Sequence, residues 1–259
     1  MRFLQESEDY GLMSGDLTWL WTSLGTTLSL QAKLKGNTPE GDRLFAEAGQ
    51  KFAEAVQIKP DMHEAFNNWG TALSDQAQLK GNTPEGDRLF AEAGQKFAEA
   101  VRIKPDKHET FLNWGNALSE QAKLKGNTPE GDHLFAESRQ KYAEAVRIKP
   151  DMHEAFSNWG ITLSEQAKLK GNTPEGDRLF AEAGQKYAEV VRFKPDKHEA
   201  YFNQACLCAL LKDVAGAIAK LELWLKYNPS ASKTKLDDTD FDGIRDDPEF
   251  CRFKESLPP

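Results

Sequence analysis

One segment of the chain recurs almost unchanged, and this repetition constrains the fold more than any other feature. The segment opens with GNTPEGD and returns every 45 residues, at Gly36, Gly81, Gly126 and Gly171. A fixed period of about 20 to 50 residues is typical of solenoids, in which each unit buries its apolar face against its neighbours. The sequence therefore predicts a body built from repeated units rather than one globular core.

Composition and charge argue against several classes of function. The chain has 41 acidic and 33 basic residues, a formal net charge of -8, whereas nucleic-acid-binding proteins present a basic face to phosphates. No apolar run approaches the roughly 18 residues of a membrane span, and the start MRFLQESEDYG lacks the apolar core of a signal peptide. We therefore expect no nucleic acid, no membrane and a cytoplasmic location. The three cysteines are expected to be free thiols, since their number is odd.

Short signals within each repeat predict two helices joined as a hairpin. Thr38 and Pro39 are typical of an N-cap and a first helical position. Pro60 should end that helix, because the residue before a proline is displaced from the α region. Asp61 and Glu64 then predict a capping box for the following helix. The same signals return in every repeat, so the chain is predicted to be a series of helical hairpins.

The apolar residues of these hairpins match the pattern of a known family. They resemble the tetratricopeptide repeat in the order aromatic, large apolar, Gly, bulky, then small, aromatic, small and Pro, at Phe66, Trp69, Gly70, Leu73, Ala93, Phe97, Ala100 and Pro105. The resemblance covers roughly residues 16–229. It implies an all-α, right-handed superhelical solenoid of antiparallel helix hairpins, with about 11 helices.

The repeats depart from the family in length, because the family unit has about 34 residues. Trp also stands where the family usually has Leu. The surplus of about 11 residues corresponds to three helical turns, so we expect it to lengthen both helices of each hairpin. Leu79 is then expected to pack on Leu89 or Phe90 of the next helix.

The signals divide the chain into seven segments. Residues 1–15 are expected to form an N-terminal tail or partial cap. Four long repeats follow at 16–60, 61–105, 106–150 and 151–195. The fifth repeat, 196–229, keeps the ordinary spacing of about 34 residues, and residues 230–259 are expected to form a linker and a C-terminal capping helix that covers the exposed end of the core.

One acidic stretch near the C-terminus matches a calcium-binding pattern. The oxygen positions and the glycine of an EF-hand loop fall on Asp238, Asp240, Asp242, Gly243, Asp246 and Glu249. Arg245 and Pro248 stand at positions unfavourable for such a loop, so we favour a capping role and expect no metal or cofactor.

The remaining residues that could bind a metal ion or act in catalysis are explained by the repeat itself. The histidines recur with the repeat, at His63, His108, His153 and His198, and packed helices lie about 8 to 10 Å apart, too far for shared zinc coordination. No nucleophile elbow, phosphate-binding loop or Cys-x-x-Cys occurs. We therefore predict no catalytic residue and no enzymatic activity.

Comparison of the repeats with one another identifies a stripe opposite the packing residues of each Trp-bearing helix. At about 100° per residue, this stripe contains Glu64, Asn68, Thr71 and Asp75, and the family resemblance implies that it lines a concave groove. Several positions in or beside it differ between copies: Asn67, Leu112 and Ser157; Thr71, Asn116 and Ile161; Asp75, Glu120 and Glu165. Both tuning to a ligand and neutral drift explain this variation.

One residue of the stripe is the same in every copy: Asn68, Asn113, Asn158 and Asn203. A carboxamide both donates and accepts hydrogen bonds, so a column of them can pair with the backbone of an extended peptide. The column resembles the asparagine ladder in the repeat region of the O-linked N-acetylglucosamine transferase. The alternative is that each Asn bonds the neighbouring repeat. The Lys and Arg that clamp a C-terminal carboxylate in chaperone-binding members are absent from the stripe.

These observations predict a non-enzymatic protein–protein interaction scaffold. Its partner should be a protein or peptide segment, extended or helical and neutral to basic, bound in the groove with the asparagines. A structural role is the alternative, in which the repeats associate end to end into dimers or filaments through an incompletely capped N-terminal end.

Overall fold

The computed structural model describes residues 14–257, and all regular secondary structure in that range is helical. The range contains eleven α-helices and two short 3-10 helices. The chain divides into two compact units, Met1–Lys149 and Pro150–Pro259. Residues 1–13 of the tail or partial cap that was predicted for residues 1–15 lie outside the described residues.

The first unit consists of three helical hairpins. Its helices are α1 (Ser14–Lys35), α2 (Pro39–Ile58), α3 (His63–Lys80), α4 (Pro84–Ile103), α5 (His108–Lys125) and α6 (Pro129–Ile148). Each odd-numbered helix packs along the helix that follows it, and α2 and α4 also pack against the next hairpin. The first helices of neighbouring hairpins, α1 with α3 and α3 with α5, are also in contact. One face of the unit is therefore formed by α1, α3 and α5 side by side.

The second unit has two hairpins and a C-terminal segment. Its helices are α7 (His153–Lys170), α8 (Pro174–Phe193), α9 (His198–Leu210) and α10 (Val214–Tyr227), then the 3-10 helices Lys233–Asp237 and Thr239–Ile244, and α11 (Pro248–Ser256). The second 3-10 helix packs against α9, and α11 packs against α10. Leu236, Phe241 and Phe250 of this segment are fully buried in one cluster with Leu221 and Trp224 of α10.

The helix starts predicted from the Thr-Pro pairs are correct, whereas the predicted capping boxes do not form. The hydroxyl of Thr38 accepts a hydrogen bond from the backbone N of Gly41, and α2 begins at Pro39, as predicted. The capping box at Asp61 does not form, because Met62 is the N-cap of α3 and has no side-chain cap bond. Asp61 instead lies inside the turn that the hydrogen bond from Met62 N to Lys59 O closes.

The extra length of the repeats lies in the helices and not in the loops. Helices α3 and α4 have 18 and 20 residues, whereas α9 and α10 of the ordinary-length hairpin have 13 and 14. Only Gly81, Asn82 and Thr83 connect α3 to α4. Gly81 has φ of +64°, a left-handed conformation that ends the helix at little cost only in glycine. Within residues 14–257, no helix combines the length and the hydropathy that a membrane span needs.

Contacts of the lengthened part differ from those expected at Leu79. Ala77 packs with Leu89 and Phe90 of α4, whereas Leu79 packs on the cluster that contains Leu44 and Phe45 of α2. Two residues along a helix correspond to a rotation of about 200°, so Ala77 and Leu79 cannot face the same neighbour. Leu79 of α3 therefore connects its hairpin to the preceding one, and Leu124 of α5 does the same on α4.

Candidate functional site: the face of the first helices

The predicted groove positions of the first unit lie together on the face formed by α1, α3 and α5. This groove stripe comprises Asn67, Asn68, Thr71 and Asp75 of α3, and Leu112, Asn113, Asn116 and Glu120 of α5. All eight residues are half-buried, and none belongs to the buried cores that Ala72 and Ala117 enter. The stripe is thus a continuous surface beside the core, shielded from water only in part.

A line of carboxamides runs across this face from hairpin to hairpin. Asn113 Nδ2 donates to Asn67 Oδ1 over 3.1 Å, Asn67 Nδ2 donates to Asn68 Oδ1 over 3.0 Å, and Asn68 Nδ2 donates to Thr26 Oγ1 over 3.3 Å. These bonds fix the orientation of the amides and connect neighbouring repeats. A carboxamide nitrogen carries two hydrogens, so Asn68 and Asn113 can each make a further bond.

The acidic positions at the far end of the stripe have cationic or amide partners. Lys33 Nζ lies 2.7 Å from Asp75 Oδ1, and Lys123 Nζ lies 2.5 Å from Glu120 Oε1. Gln78 donates a further hydrogen bond of 2.8 Å to Glu120. The carboxylates of this end are therefore locally balanced rather than free.

The corresponding face of the second unit is partly covered by the C-terminal segment. Ser157, Asn158 and Glu165 of α7 are half-buried, and Ile161 is exposed. Lys168 Nζ, one turn beyond Glu165, lies 2.8 Å from Asp240 Oδ1 of the second 3-10 helix. Half-buried Asn203 lies on α9 beside this contact. Burial is the largest single effect and disfavours the Lys168 ammonium, but the hydrogen bonds and charges of Asp240 and Glu165 together outweigh it, so the pKa of Lys168 is raised.

Three of the acidic residues that match a calcium loop are engaged in other contacts. Asp238 accepts a hydrogen bond from the backbone N of Asp240, Asp240 binds Lys168, and Asp242 binds Arg245. Asp246 and Glu249 are exposed. In the part of the chain that the structure describes, no group of three or more His, Cys, Asp or Glu side chains is arranged to hold a metal ion.

Two residues at the N-terminal end of this face were not singled out by sequence reasoning. Trp19 and Leu30 of α1 are 66% and 58% exposed. They occupy the repeat positions of Glu64 and Asp75, which lie 45 residues further along the chain. Comparison of α1 with the later copies would have found them, because an apolar residue replaces an acidic one at both positions.

A family model and several solved structures resemble this chain. The model is described as the plant specific mitochondrial import receptor subunit TOM20 and matches residues 42–155, less than half of the chain. The comparison with curated proteins gives no match.

Three solved structures show how far the similarity extends. MamA from Desulfovibrio magneticus RS-1, from residue 41 to its end, has a TM-score of 0.54 at 13% identity, covering 82% of this chain and 97% of that one. TTC0263, a thermophilic TPR protein in Thermus thermophilus, has a TM-score of 0.53 at 16% identity, with coverage of 81% and 92%. PilW, a type IV pilus biogenesis factor, has a TM-score of 0.52 at 17% identity, with coverage of 83% and 81%.

At these identities the similarity concerns the fold alone. In the hairpins described above, residues of the tetratricopeptide pattern lie against each other, as Gly70 of α3 and Phe97 of α4 do. The chain is therefore a tetratricopeptide-like helical repeat protein.

Proposed function

We propose that this chain is a non-enzymatic scaffold that binds an extended or helical segment of a partner protein along the groove stripe. The observation that carries the proposal is the line of carboxamides from Asn113 through Asn67 and Asn68 to Thr26. Half-buried amides that are already oriented can bond a peptide backbone without first losing rotational freedom. Such backbone bonds tolerate many side chains in the partner.

The charge of the chain favours a partner that is neutral to basic. The formal net charge is -8, and exposed Glu64 and Glu109 stand at the start of the stripe-bearing helices α3 and α5. An acidic segment would meet like charges along this face.

We place the protein in the cytoplasm. The family whose model matches residues 42–155 is a mitochondrial import receptor subunit, and protein recognition at an organelle surface is within the same proposal.

The test is the replacement of both stripe asparagines in the first unit. A partner is first captured from native cell extract and its binding segment is mapped to a synthetic peptide. The Asn68→Ala/Asn113→Ala variant should bind that peptide about tenfold or more weakly, because each lost hydrogen bond to the ligand contributes about 1 kcal/mol. Gln50→Ala/Gln95→Ala is the matched control, since it removes two carboxamides from the exposed faces of α2 and α4.

The thermal midpoint of each variant separates this role from the alternative one. If the asparagines serve only to bond neighbouring hairpins, the asparagine variant will melt earlier and bind the peptide as tightly as the wild type. That result would reject the proposed role of the asparagines. Weaker binding by a variant that is still folded at the assay temperature supports it, and some fall in the thermal midpoint is expected because the bonds to Asn67 and Thr26 are lost.

The exposed apolar residues of α1 favour a second candidate function, self-association through the N-terminal hairpin. Trp19, Leu30 and Leu34 are exposed on one side of α1, and Leu34 is 88% exposed, whereas Leu79 at the same repeat position packs on α2. Light scattering over a range of concentrations tests this candidate. Trp19→Glu/Leu30→Asp, which restores the residues of the later repeats, should then give a monomer. A wild type that is monomeric throughout rejects it.

A further inference from the structure

Two cavities open side by side on the face of α9 that carries Asn203. The smaller has a volume of about 250 Å³ and lies between α7, α9 and the start of the second 3-10 helix. The larger has a volume of about 500 Å³ and lies between α9, the end of α10 and the segment 230–235, which includes the start of the first 3-10 helix. Phe202 and Asn203 line both cavities, so the two are direct neighbours. We refer to them together as the double cavity.

The smaller cavity combines an apolar wall with acidic groups. Its wall includes Ile161, Leu207 and Leu210, and its lining also contains three carboxylates, Glu165, Asp238 and Asp240, and one ammonium, Lys168. This composition suits a side chain that has an apolar stem and a cationic end. Lysine and arginine have that form among the common amino acids.

The chain itself already places one basic side chain among these groups. Lys168 Nζ lies 2.8 Å from Asp240 Oδ1 and 3.4 Å from Glu165 Oε1, and about two thirds of its side chain is buried. Asp238 is exposed, and one of its oxygens bonds the backbone N of Asp240. Since a carboxylate can accept about four hydrogen bonds, Glu165 and Asp238 have capacity for a second cation.

One wall of the larger cavity is aromatic, whereas most of its other lining residues are polar, and Lys235 Nζ lies 6.0 Å from the centroid of the Phe202 ring. The rings of Phe202 and Trp224 lie with their centroids 5.1 Å apart and both line this cavity. In an extended peptide, side chains two residues apart point to the same side and lie roughly 7 Å from each other. Adjacent cavities that share Phe202 and Asn203 therefore fit two side chains of one extended segment.

We propose that the double cavity selects partner segments in which a lysine or arginine stands two residues from an apolar side chain. The basic side chain enters the smaller cavity, with its stem on Ile161 and Leu207 and its charge beside Glu165 and Asp238. The apolar side chain enters the larger cavity against Phe202 and Trp224. This specificity rests on the proposed function, because it requires that a peptide segment be bound along the first helices.

The test measures fluorescence polarisation of labelled peptide pools of about nine residues. Each pool has leucine at its third and seventh positions, so that both chain directions are sampled, and degenerate small or polar residues elsewhere. The central residue is lysine in one pool and glutamate in the other. The full chain should bind the lysine pool about tenfold more tightly than the glutamate pool, and salt should reduce the difference because it screens charges.

A double variant assigns this preference to the smaller cavity. Glu165→Gln/Asp238→Asn removes two charges from the lining, and asparagine at 238 retains an oxygen for the backbone N of Asp240. Its preference for lysine should fall to less than about twofold. The matched control, Asp246→Asn/Glu255→Gln, removes two exposed carboxylates of the same C-terminal segment and should keep the preference.

The outcomes separate this inference from the proposed function. Binding of both pools with equal affinity, or a lysine preference that survives in Glu165→Gln/Asp238→Asn, overturns the double-cavity specificity and leaves peptide binding in place. Failure of the wild type to bind any pool counts against the proposed function itself, and the specificity falls with it. A preference that the double variant loses and the control retains supports the inference.

Discussion

Lys168 forms an ion pair with Asp240, and Asp240 thereby occupies the position that an acidic residue of a further long repeat would occupy. In the first unit, Lys33 binds Asp75, which follows it by 42 residues. The residue 42 positions after Lys168 is Leu210, where α9 ends. Asp240 of the second 3-10 helix supplies the carboxylate instead, 2.8 Å from Lys168 Nζ. The C-terminal segment therefore replaces the missing end of the shortened helix and covers that part of the face.

Loss of the lysine should loosen the C-terminal segment. Lys168→Met removes the ion pair while keeping an apolar stem, so hydrogen exchange of the amides in 239–244 should accelerate several-fold. The global stability should change by less than about 1 kcal/mol, because both side chains are partly exposed and such pairs are weak. Lys33→Met is the control, since its partner Asp75 lies in the first unit. Equal exchange in wild type and Lys168→Met would contradict this role.

The same pair should give a pH dependence with a definite sign. The pKa of Lys168 is raised above its ordinary 10.5 in the folded chain, so its contribution to stability is fully present below that value. It is lost as the pH rises through the folded pKa. The difference in free energy of unfolding between wild type and Lys168→Met should be constant from pH 7 to about 10 and shrink above about 10.5. A difference in free energy of unfolding that grows at alkaline pH would contradict the stabilising role of the Lys168–Asp240 pair.

Cys206 offers a chemical reporter of the same segment. Its side chain is 7% exposed, and burial together with the charges of Asp240 and Asp238 raises the pKa of the thiol. In a Cys208→Ser/Cys251→Ser background, the thiol of Cys206 should react slowly with a disulfide reagent at pH 8, since the thiolate is the reactive form.

Adding Lys168→Met to that background should speed the reaction several-fold, because the greater exposure of the thiol under a looser cover outweighs the loss of the Lys168 charge, which lowers the pKa of the thiol. Urea-unfolded protein of the same background gives the upper limit of the rate. A rate in the native protein that already equals the unfolded limit would show that the segment does not cover Cys206.

Local sequence signals correctly predicted the helix starts that depend only on residues adjacent in the chain. The Thr-Pro start of α4 follows from backbone preferences of single residues, and the structure has it. The capping box failed at Asp61 because the bond from Met62 N to Lys59 O fixed the turn one residue later than the pattern implies.

Contacts between repeats were harder to predict, because they depend on how neighbouring helices are aligned. The stripe carrying Asn68 and Asn113 could be read from the period of the helix. The bond from Asn113 to Asn67, rather than to Asn68, could not, since it requires the offset between α3 and α5. The pairing of Lys168 with Asp240 joins residues 72 apart in segments of different structure, and no period in the sequence signals it.

Two glycines of the first unit should respond in opposite directions to alanine. A Cβ at Gly115 would lie 2.7 Å from the ring of Tyr142, whereas a Cβ at Gly94 would lie 3.9 Å from Trp114. Tyr142 is fully buried and its hydroxyl donates to Asn116, so its ring cannot swing away. Gly115→Ala should therefore cost about 1 to 3 kcal/mol.

Gly94→Ala should instead stabilise the protein by about 0.5 to 1 kcal/mol, the usual gain in a helix interior. Urea unfolding of both variants gives the measurement, with each serving as the other's control. A Gly115→Ala variant as stable as Gly94→Ala would mean that the hairpin is not packed as tightly as Tyr142 indicates.

The most direct test of recognition along the groove stripe determines which part of the protein surface a captured partner contacts. A photo-crosslinking benzophenone amino acid is placed at Thr71 in the groove stripe, or at Gln95 on the exposed face of α4, and each variant is irradiated with the partner. Crosslinks from position 71 to one segment of the partner, with few or none from position 95, are the predicted result. Crosslinks that form equally at both positions, or only at position 95, would contradict recognition along the stripe.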